Sequence, residues 1–335
     1  MYRYLAIALA AILFASCNNS QPRIEINPKV ELNMKFDRFD RDFFAMNPDS
    51  LYNDLPKMSA KYGDFLTLYT AKMVGIGAPN QIQFAGTMQR FVNDYVVSKA
   101  CSEVNATFPN LDTQEKQLSA AFSKYHEIFP SKVIPRLVGI ISGFNQSVAI
   151  TDSILAIGLD KYLGRDNKIY TELSFPRYLV YNFEPDRIPS DAMRGWATGE
   201  FPFVDSVNNL ISRMVYEGTI IYLTAQMLPE VSDSVIVGFT PQQMEWCQKN
   251  EKSMWTSMME RKLLFSTDQF LINRMVNEAP FTNEFSPESP GRAAVWIGYR
   301  IVSSYMKNNS ETDLAKLMAM RSYDAIFREA KYRPQ

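Results

Sequence analysis

The stretch Lys132-VIPRLVGIISGFNQSVAITDSILAI-Gly158 differs in character from the rest of the chain. Short β-branched runs (Val133-Ile134, Leu137 to Ile141, Val148 to Ile150, Ile154 to Ile157) are punctuated by Gly, Asn and Asp. Runs of that length between turn formers make strands joined by tight turns, so two or three strands are expected here. Working outward, Val30 to Phe36 alternates and is a further candidate strand. Leu51 to Tyr69 and Ile82 to Val97 carry helical spacing, separated by the loop Gly75 to Pro79. Beyond the turn chemistry of Glu184-Pro185-Asp186 the chain is helical to its end. Thr240-Pro241-Gln242-Gln243 combines an N-cap threonine, a first-turn proline and the glutamine of a capping box. Ser289-Pro290 and Ser310-x-x-Asp313 mark the starts of the last two helices. The expected fold is α+β and predominantly helical, with a small central sheet wrapped by helices. One globular domain is expected over residues 30–335, with the strand-bearing part at about 130–160 and the helical part at about 190–335.

The N-terminus carries a different message. Arg3 precedes an apolar run from Leu5 to Ala15, long enough for a signal-peptide core and too short to span a bilayer as a helix. The run ends Phe14-Ala15-Ser16-Cys17, small residues before a cysteine. That pattern suits signal peptidase II, with cleavage after residue 16 and a lipid on the Cys17 thiol. Residues 17–29 are polar, hold two prolines (Pro22 and Pro28) and are expected to be a lipidated tether. No acidic cluster follows Cys17, which favours the periplasmic face of the outer membrane over surface display.

Composition excludes several function classes. The formal charge is -1, and about -2 once Arg3 is removed with the leader, which gives no electrostatic case for nucleic acid. Besides Cys17 there are two cysteines, Cys101 and Cys247, too few and too far apart for a disulfide framework or a CxxC metal site. A single histidine, His126, excludes HExxH zinc peptidases and any site needing two imidazoles. It falls beside a helical stripe (Leu118, Ala121, Phe122, Tyr125) near a helix end, where a solvated cation is favoured.

Two glutamates stand on apolar helix faces. Glu217 falls at the edge of the stripe Leu210, Met214, Gly218, Ile221, Ala225 on a helix expected from about Asp205 to Leu228. Glu251 lies near the centre of the face formed by Met244, Cys247, Trp255 and Met258, on a helix from Pro241 to about Lys262. A buried carboxylate must be paired, hydrogen-bonded or protonated. Arg292 and Arg300 on the following helix are candidate partners, and the four residues form a candidate polar centre. The alternative is a working carboxylate centre, Glu217 with Glu251 or Asp160, as an acid and a base or as ligands of a hard metal. Gly291, Ala294 and Gly298 give the same helix a small-sided stripe suited to close packing.

Several stretches, in order along the chain, resemble the gliding-motility lipoprotein GldB family. They include Phe36-Asp37-Arg38-Phe39-Asp40, Ile141-Ser142-Gly143-Phe144-Asn145-Gln146 and Gly158 to Gly164. Further on come Gly199-Glu200-Phe201-Pro202, Met214 to Gly218, Trp246-Cys247-x-x-Asn250-Glu251, Glu288 to Arg292, Ile297 to Val302 and Ala330 to Pro334. The resemblance implies a membrane-anchored envelope protein with envelope-protein partners, associated with motility and protein-export machinery and needing no cofactor. The family is in turn distantly similar to predicted zinc peptidases, in which an HExxH helix precedes a Glu-Gly pair. Glu217-Gly218 matches the later motif, but the segment Asp191 to Glu200 that should hold HExxH has no histidine. This implies a degenerate zincin-like scaffold without metal ligands or catalytic residues. A ligand-binding role for the old cleft would use Trp196, Trp255 and Trp296 as walls.

Overall fold

The computed structural model describes residues 22–47, 51–204 and 208–334. Cys17 and the leader lie outside the described residues, as do 205–207, where the Glu217 helix was expected to begin.

The quoted stretch forms three strands: β2 (Arg136–Ile140), β3 (Val148–Ile150) and β4 (Ile154–Gly158), with β1 (Phe36–Asp37) added from upstream. The sheet order is β1-β2-β4-β3. β1 and β4 both run parallel to β2, and β3 closes one edge antiparallel to β4. Sheet periodicity assigns alternate residues to opposite faces. Leu137, Leu155 and Ile157 join the large helical core, whereas Val138, Ile140, Ile154 and Ala156 join a second core. Cover on both faces explains why β2 and β4 are nearly continuous apolar runs.

The second core is closed by α1 (Phe39–Phe44), α2 (Leu51–Tyr62), α3 (Asp64–Leu68), a π-turn (Tyr69–Met73) and α4 (Phe84–Val92). The two helices expected over 51–69 and 82–97 are each broken. Gly63 at φ 54° interrupts the first, and Asp94 interrupts the second by capping α5 (Tyr95–Thr107) through the backbone N–H groups of Val96 and Val97. α6 (Asp112–Ile128) then leads to the sheet. After β4 come α7 (Lys168–Glu172), α8 (Arg177–Val180), α9 (Ile188–Glu200), α10 (Leu210–Met227), α11 (Asp233–Val237) and α12 (Pro241–Glu260). The chain ends with α13 (Gln269–Val276), α14 (Ala293–Asn308), α15 (Leu314–Ala319) and α16 (Tyr323–Ala330). The Thr240–Gln243 capping box is formed in full. Ser289 does not cap α14, because Arg292 precedes that helix in a left-handed conformation and Ser289 is tied to Thr282. Asp313 caps the short α15, and the final helix takes its cap from Ser322.

The alternation of Val30 to Phe36 leads to a strand only at its end. From Leu32 to Phe36 the extended chain lies along α6, and a helix has no spare backbone groups to pair with it. Side chains serve instead: the backbone N–H groups of Leu32, Met34 and Phe36 donate to Ser123 Oγ, Ser119 Oγ and Glu115 Oε1. Two extended residues span about 6.6 Å and four helical residues about 6 Å, so the registers match. The stretch expected as a free tether through residue 29 is held from Arg23 onward. Arg23 pairs with Asp233 at 2.5 Å, Ile24 N–H donates to Gln226, Ile26 is buried and Lys29 N–H donates to Glu127.

The core turns on one contact between α10 and α14. A Cβ at Gly218 would lie 2.3 Å from the carbonyl carbon and oxygen of Gly298, and one at Gly298 would lie 1.8 Å from the Met214 carbonyl oxygen. The two backbones touch. On the other side of the core, Gly195 and Gly199 seat α9 on Val148 and Ile150 of β3. The small-sided stripe is therefore a packing device. Gly298→Ala should destabilise the protein by about 3 kcal/mol or more in urea denaturation, because the atoms that the new methyl meets are the backbone of Met214. Gly86→Ala in α4, where the added Cβ meets nothing within 4 Å, should be neutral or stabilise by about 0.5–1 kcal/mol. Equal effects at the two positions would show that the close crossing is not what holds α10 on α14.

Candidate functional site

The four residues of the candidate polar centre separate into two groups. Glu251 on α12 is buried, with its side chain 3% exposed. Arg300 Nε on α14 donates to both carboxylate oxygens at 3.3 and 3.1 Å, and the Tyr332 hydroxyl donates to Oε1 at 2.7 Å. A buried carboxylate beside a guanidinium and a phenol is a closed electrostatic unit. Burial, with Glu251 next, pushes the Tyr332 hydroxyl and the nearby Cys247 thiol far up, so neither ionises at neutral pH. Cys247 is thus a poor nucleophile, and it and Cys101 are free thiols.

Arg292 belongs to the other group. Its Nη1 donates to Glu278 Oε1 at 2.8 Å, on the segment between α13 and α14. Its charge opposes that of Arg194 on α9, within the histidine-free segment Asp191 to Glu200. Burial first and Arg292 second lower the Arg194 guanidinium from its ordinary value, while Asp191, Glu217 and Glu278 act in the opposite sense. Glu217 is partly exposed on α10 and reaches this group only through space: neither it nor Arg194 makes a side-chain hydrogen bond among the described residues. Asp191 accepts from the Tyr162 hydroxyl at 2.9 Å. Glu251 is taken up by Arg300 and Tyr332, and neither hydrogen bond nor ion pair joins Glu217 to Glu251, Arg292 or Arg300 among the described residues.

The proposed aromatic walls do not line one pocket either. Trp196 and Trp296 are each 1% exposed and belong to the large core, Trp196 edge-on to Phe122 and Trp296 edge-on to Tyr299. Trp255 is partly buried against Phe327 and Tyr332. Large aromatic side chains on packed helices fill the interior before they line clefts, and these do so. No group of three or more His, Cys, Asp or Glu side chains suited to a metal occurs among the described residues.

A third polar group was scarcely signalled. Asp160, in the turn after β4, is fully buried and holds the loop after β2. It accepts from Ser142 N–H at 3.1 Å, the Ser142 hydroxyl at 3.1 Å and Phe144 N–H at 2.6 Å. Burial nevertheless outweighs these donors and pushes its carboxyl up to about 6. The motif Ile141 to Gln146 and the motif Gly158 to Gly164 are thus two halves of one structure, locked at the C-terminal ends of two parallel strands. Tyr170 adds a clamp, donating to the Asp160 carbonyl and accepting from Leu163 N–H, both at 2.9 Å.

Two outcomes follow for stability. Arg300→Met should cost about 3–5 kcal/mol, because Glu251 is left buried without its cation. Glu251→Leu combined with Arg300→Met should recover most of that loss in the same urea titration; failure to recover would mean that the pair contributes more than its own neutralisation. Asp160 carries the opposite sign from most carboxylates. Its folded value lies above the ordinary 3.8, so its contribution is complete below about pH 4 and fades as pH rises through 6. The difference amounts to about 3 kcal/mol. Wild type should lose that much relative to Asp160→Asn between pH 4 and pH 7, and parallel curves would show that Asp160 is ionised throughout.

No curated protein and no solved structure matches the chain. A family model described as Gliding motility protein GldB matches residues 19–334, which takes in the whole of the described region and all three polar groups. The order of motifs, the α+β architecture and that match agree, and the chain belongs to the gliding motility protein GldB family of lipoproteins.

Proposed function

We propose that this protein is a lipid-anchored component of the cell envelope that works by binding, as a scaffold in motility or secretion machinery, on the periplasmic face of the outer membrane. The observation that carries the reading is the docking of residues 23–36. Arg23 lies only six positions beyond Cys17, a reach of about 20 Å at full extension. A lipid on Cys17 would hold the whole domain near the bilayer, tethered from one fixed point at the C-terminal end of α10. None of the helices among the described residues is long and apolar enough to cross a membrane. Two features support a non-catalytic reading: Gly218 of the Glu217-Gly218 pair is required by the contact with Gly298, and Glu251 on α12 is neutralised by Arg300. Envelope proteins are the partners this position implies.

One observation favours a second reading, a ligand-binding module: Glu217 and Arg194 attract through their charges, yet neither makes a side-chain hydrogen bond among the described residues. Cys17→Ser should move the protein from the membrane pellet to the soluble envelope fraction, and its retention in the pellet would remove the anchor. Glu217→Gln should support wild-type function in a strain lacking the chromosomal copy, with unchanged metal content by elemental analysis. A loss on the order of 100-fold with an intact fold, or loss of one bound metal, would replace binding by catalysis.

A further inference from the structure

Two of the family-like motifs have residues that the polar groups above do not use: Trp246-Cys247-x-x-Asn250-Glu251 on α12 and Glu288 to Arg292 before α14. Cys247, Glu251 and Arg292 are buried. Trp246 and Asn250 are partly buried, Glu288 is exposed, and these three line one cavity of about 440 Å³ between α12 and the loop that precedes α14. Helix spacing builds the first wall. Trp246, Asn250, Ser253 and Ser257 recur at intervals of four, three and four, and so share one stripe of α12. Phe285, Ser286 and Glu288 build the second wall. That loop is fixed at both ends: Arg261, just past α12, donates to the Glu284 carbonyl at 2.8 Å, and the Thr282 hydroxyl donates to the Pro290 carbonyl at 2.8 Å.

The polar groups of the cavity are unequally engaged. The Ser286 hydroxyl donates to Glu288 Oε2 at 2.6 Å and accepts from the Glu288 N–H at 3.2 Å. A serine inside a helix can turn its hydroxyl back to the carbonyl four residues earlier, as Ser123 does to Ser119 and Ser303 to Tyr299. Ser253 and Ser257 do not. Neither of their hydroxyls, nor the Trp246 indole N–H, nor the Asn250 amide oxygen has a hydrogen-bond partner among the described residues. A ligand that satisfies them must both accept, for the indole, and donate, for the amide oxygen. An ammonium group offers donors alone. No Lys, Arg or His among the described residues lines the cavity to take an anion. Hydroxyl groups meet both demands. Trp246, Phe285 and Met254 add apolar surface, and the negative face of an aromatic ring suits the C–H face of a sugar. The volume lies in the range of small-molecule sites.

We propose that this cavity binds a neutral saccharide, with its ring against Trp246 and Phe285 and its hydroxyls on Asn250, Ser253, Ser257 and Glu288. Hydrolysis of a glycosidic bond uses a pair of carboxylates, and Glu288 is the one acidic residue lining the cavity among the described residues. The site therefore holds a sugar without cutting it. It makes no use of Cys17, Glu217 or Arg194, so its failure would leave the reading above untouched.

The test uses the full-length lipidated protein in a detergent without a sugar headgroup. Glucose, N-acetylglucosamine, maltotriose and chitotriose are titrated in turn, with binding read by saturation-transfer NMR. At least one should bind saturably, with the strongest transfer to its ring C–H protons. Trp246→Ala should weaken that binding on the order of tenfold or more, and Glu288→Gln, at an exposed position, should weaken it without loss of the fold. If Trp246→Ala does not fold, Trp246→Phe keeps an aromatic wall, loses the indole N–H and should still bind more weakly than wild type. A trimer that binds more tightly than its own monomer identifies a glycan chain as the source, and equal binding identifies a free sugar. No saturable binding of any of these sugars at millimolar concentration, binding unchanged by the Trp246 and Glu288 substitutions, or a response to choline that exceeds the response to every sugar would each overturn the assignment.

Discussion

The approach of α10 to α14 is the constraint on which the rest of the helical region depends. With backbone against backbone at Gly218 and Gly298, the side chains on either side of the contact must interlock at short range. That places Arg300 within reach of Glu251 on α12 and sets Arg292, at the start of α14, against the elements that carry Arg194 and Glu278. The two arginines on α14 point to different carboxylates because eight residues of helix separate them, more than two turns. The polar chemistry of the domain is thus arranged by a contact that involves no polar side chain.

How much of this was legible in the sequence depended on whether the signal was local. The strands around Leu137 and Ile154, the capping box at Thr240 and the small stripe on α14 are written in neighbouring residues, and they form as expected. The pairing of Glu251 with Arg300 was also within reach, since a glutamate on an apolar face requires a cation. Errors arose where the partner is remote. Val30 to Phe36 alternates like a strand, but only Phe36 reaches the sheet, and α6 holds the stretch through Ser119, Ser123 and Glu115. Trp196, Trp255 and Trp296 carry no mark in the sequence that separates a cavity wall from a core filler. Arg194 carries no local signal, because the segment around it is distinguished in the sequence only by the histidines it lacks.

Asp160 shows a third kind of limit. Its residue type and its place after a strand are visible, but its value lies in three donors from a loop some sixteen residues upstream. The two family-like motifs look independent in the sequence and are one hydrogen-bonded unit in space. The turn stays ordered because the carboxylate has donors on both oxygens, and the burial that makes those bonds strong also raises its affinity for a proton. Order in this corner of the sheet is bought with a carboxylate that is reluctant to ionise.

The lie of the N-terminal strap has a mechanical consequence. Tension on a lipid at Cys17 would enter the domain at Arg23 and Ile24, whose partners sit on and just after the C-terminal end of α10. Beyond them the strap runs antiparallel to α6, with its anchoring bonds spaced along the helix axis. A pull along that axis loads those bonds together in shear, whereas a pull away from the helix opens them one at a time, as a zipper. Lateral drag would therefore be resisted collectively by the strap and passed into the largest core, and a perpendicular tug would peel the strap from its membrane end. The protein is built with a stiff direction and a compliant one.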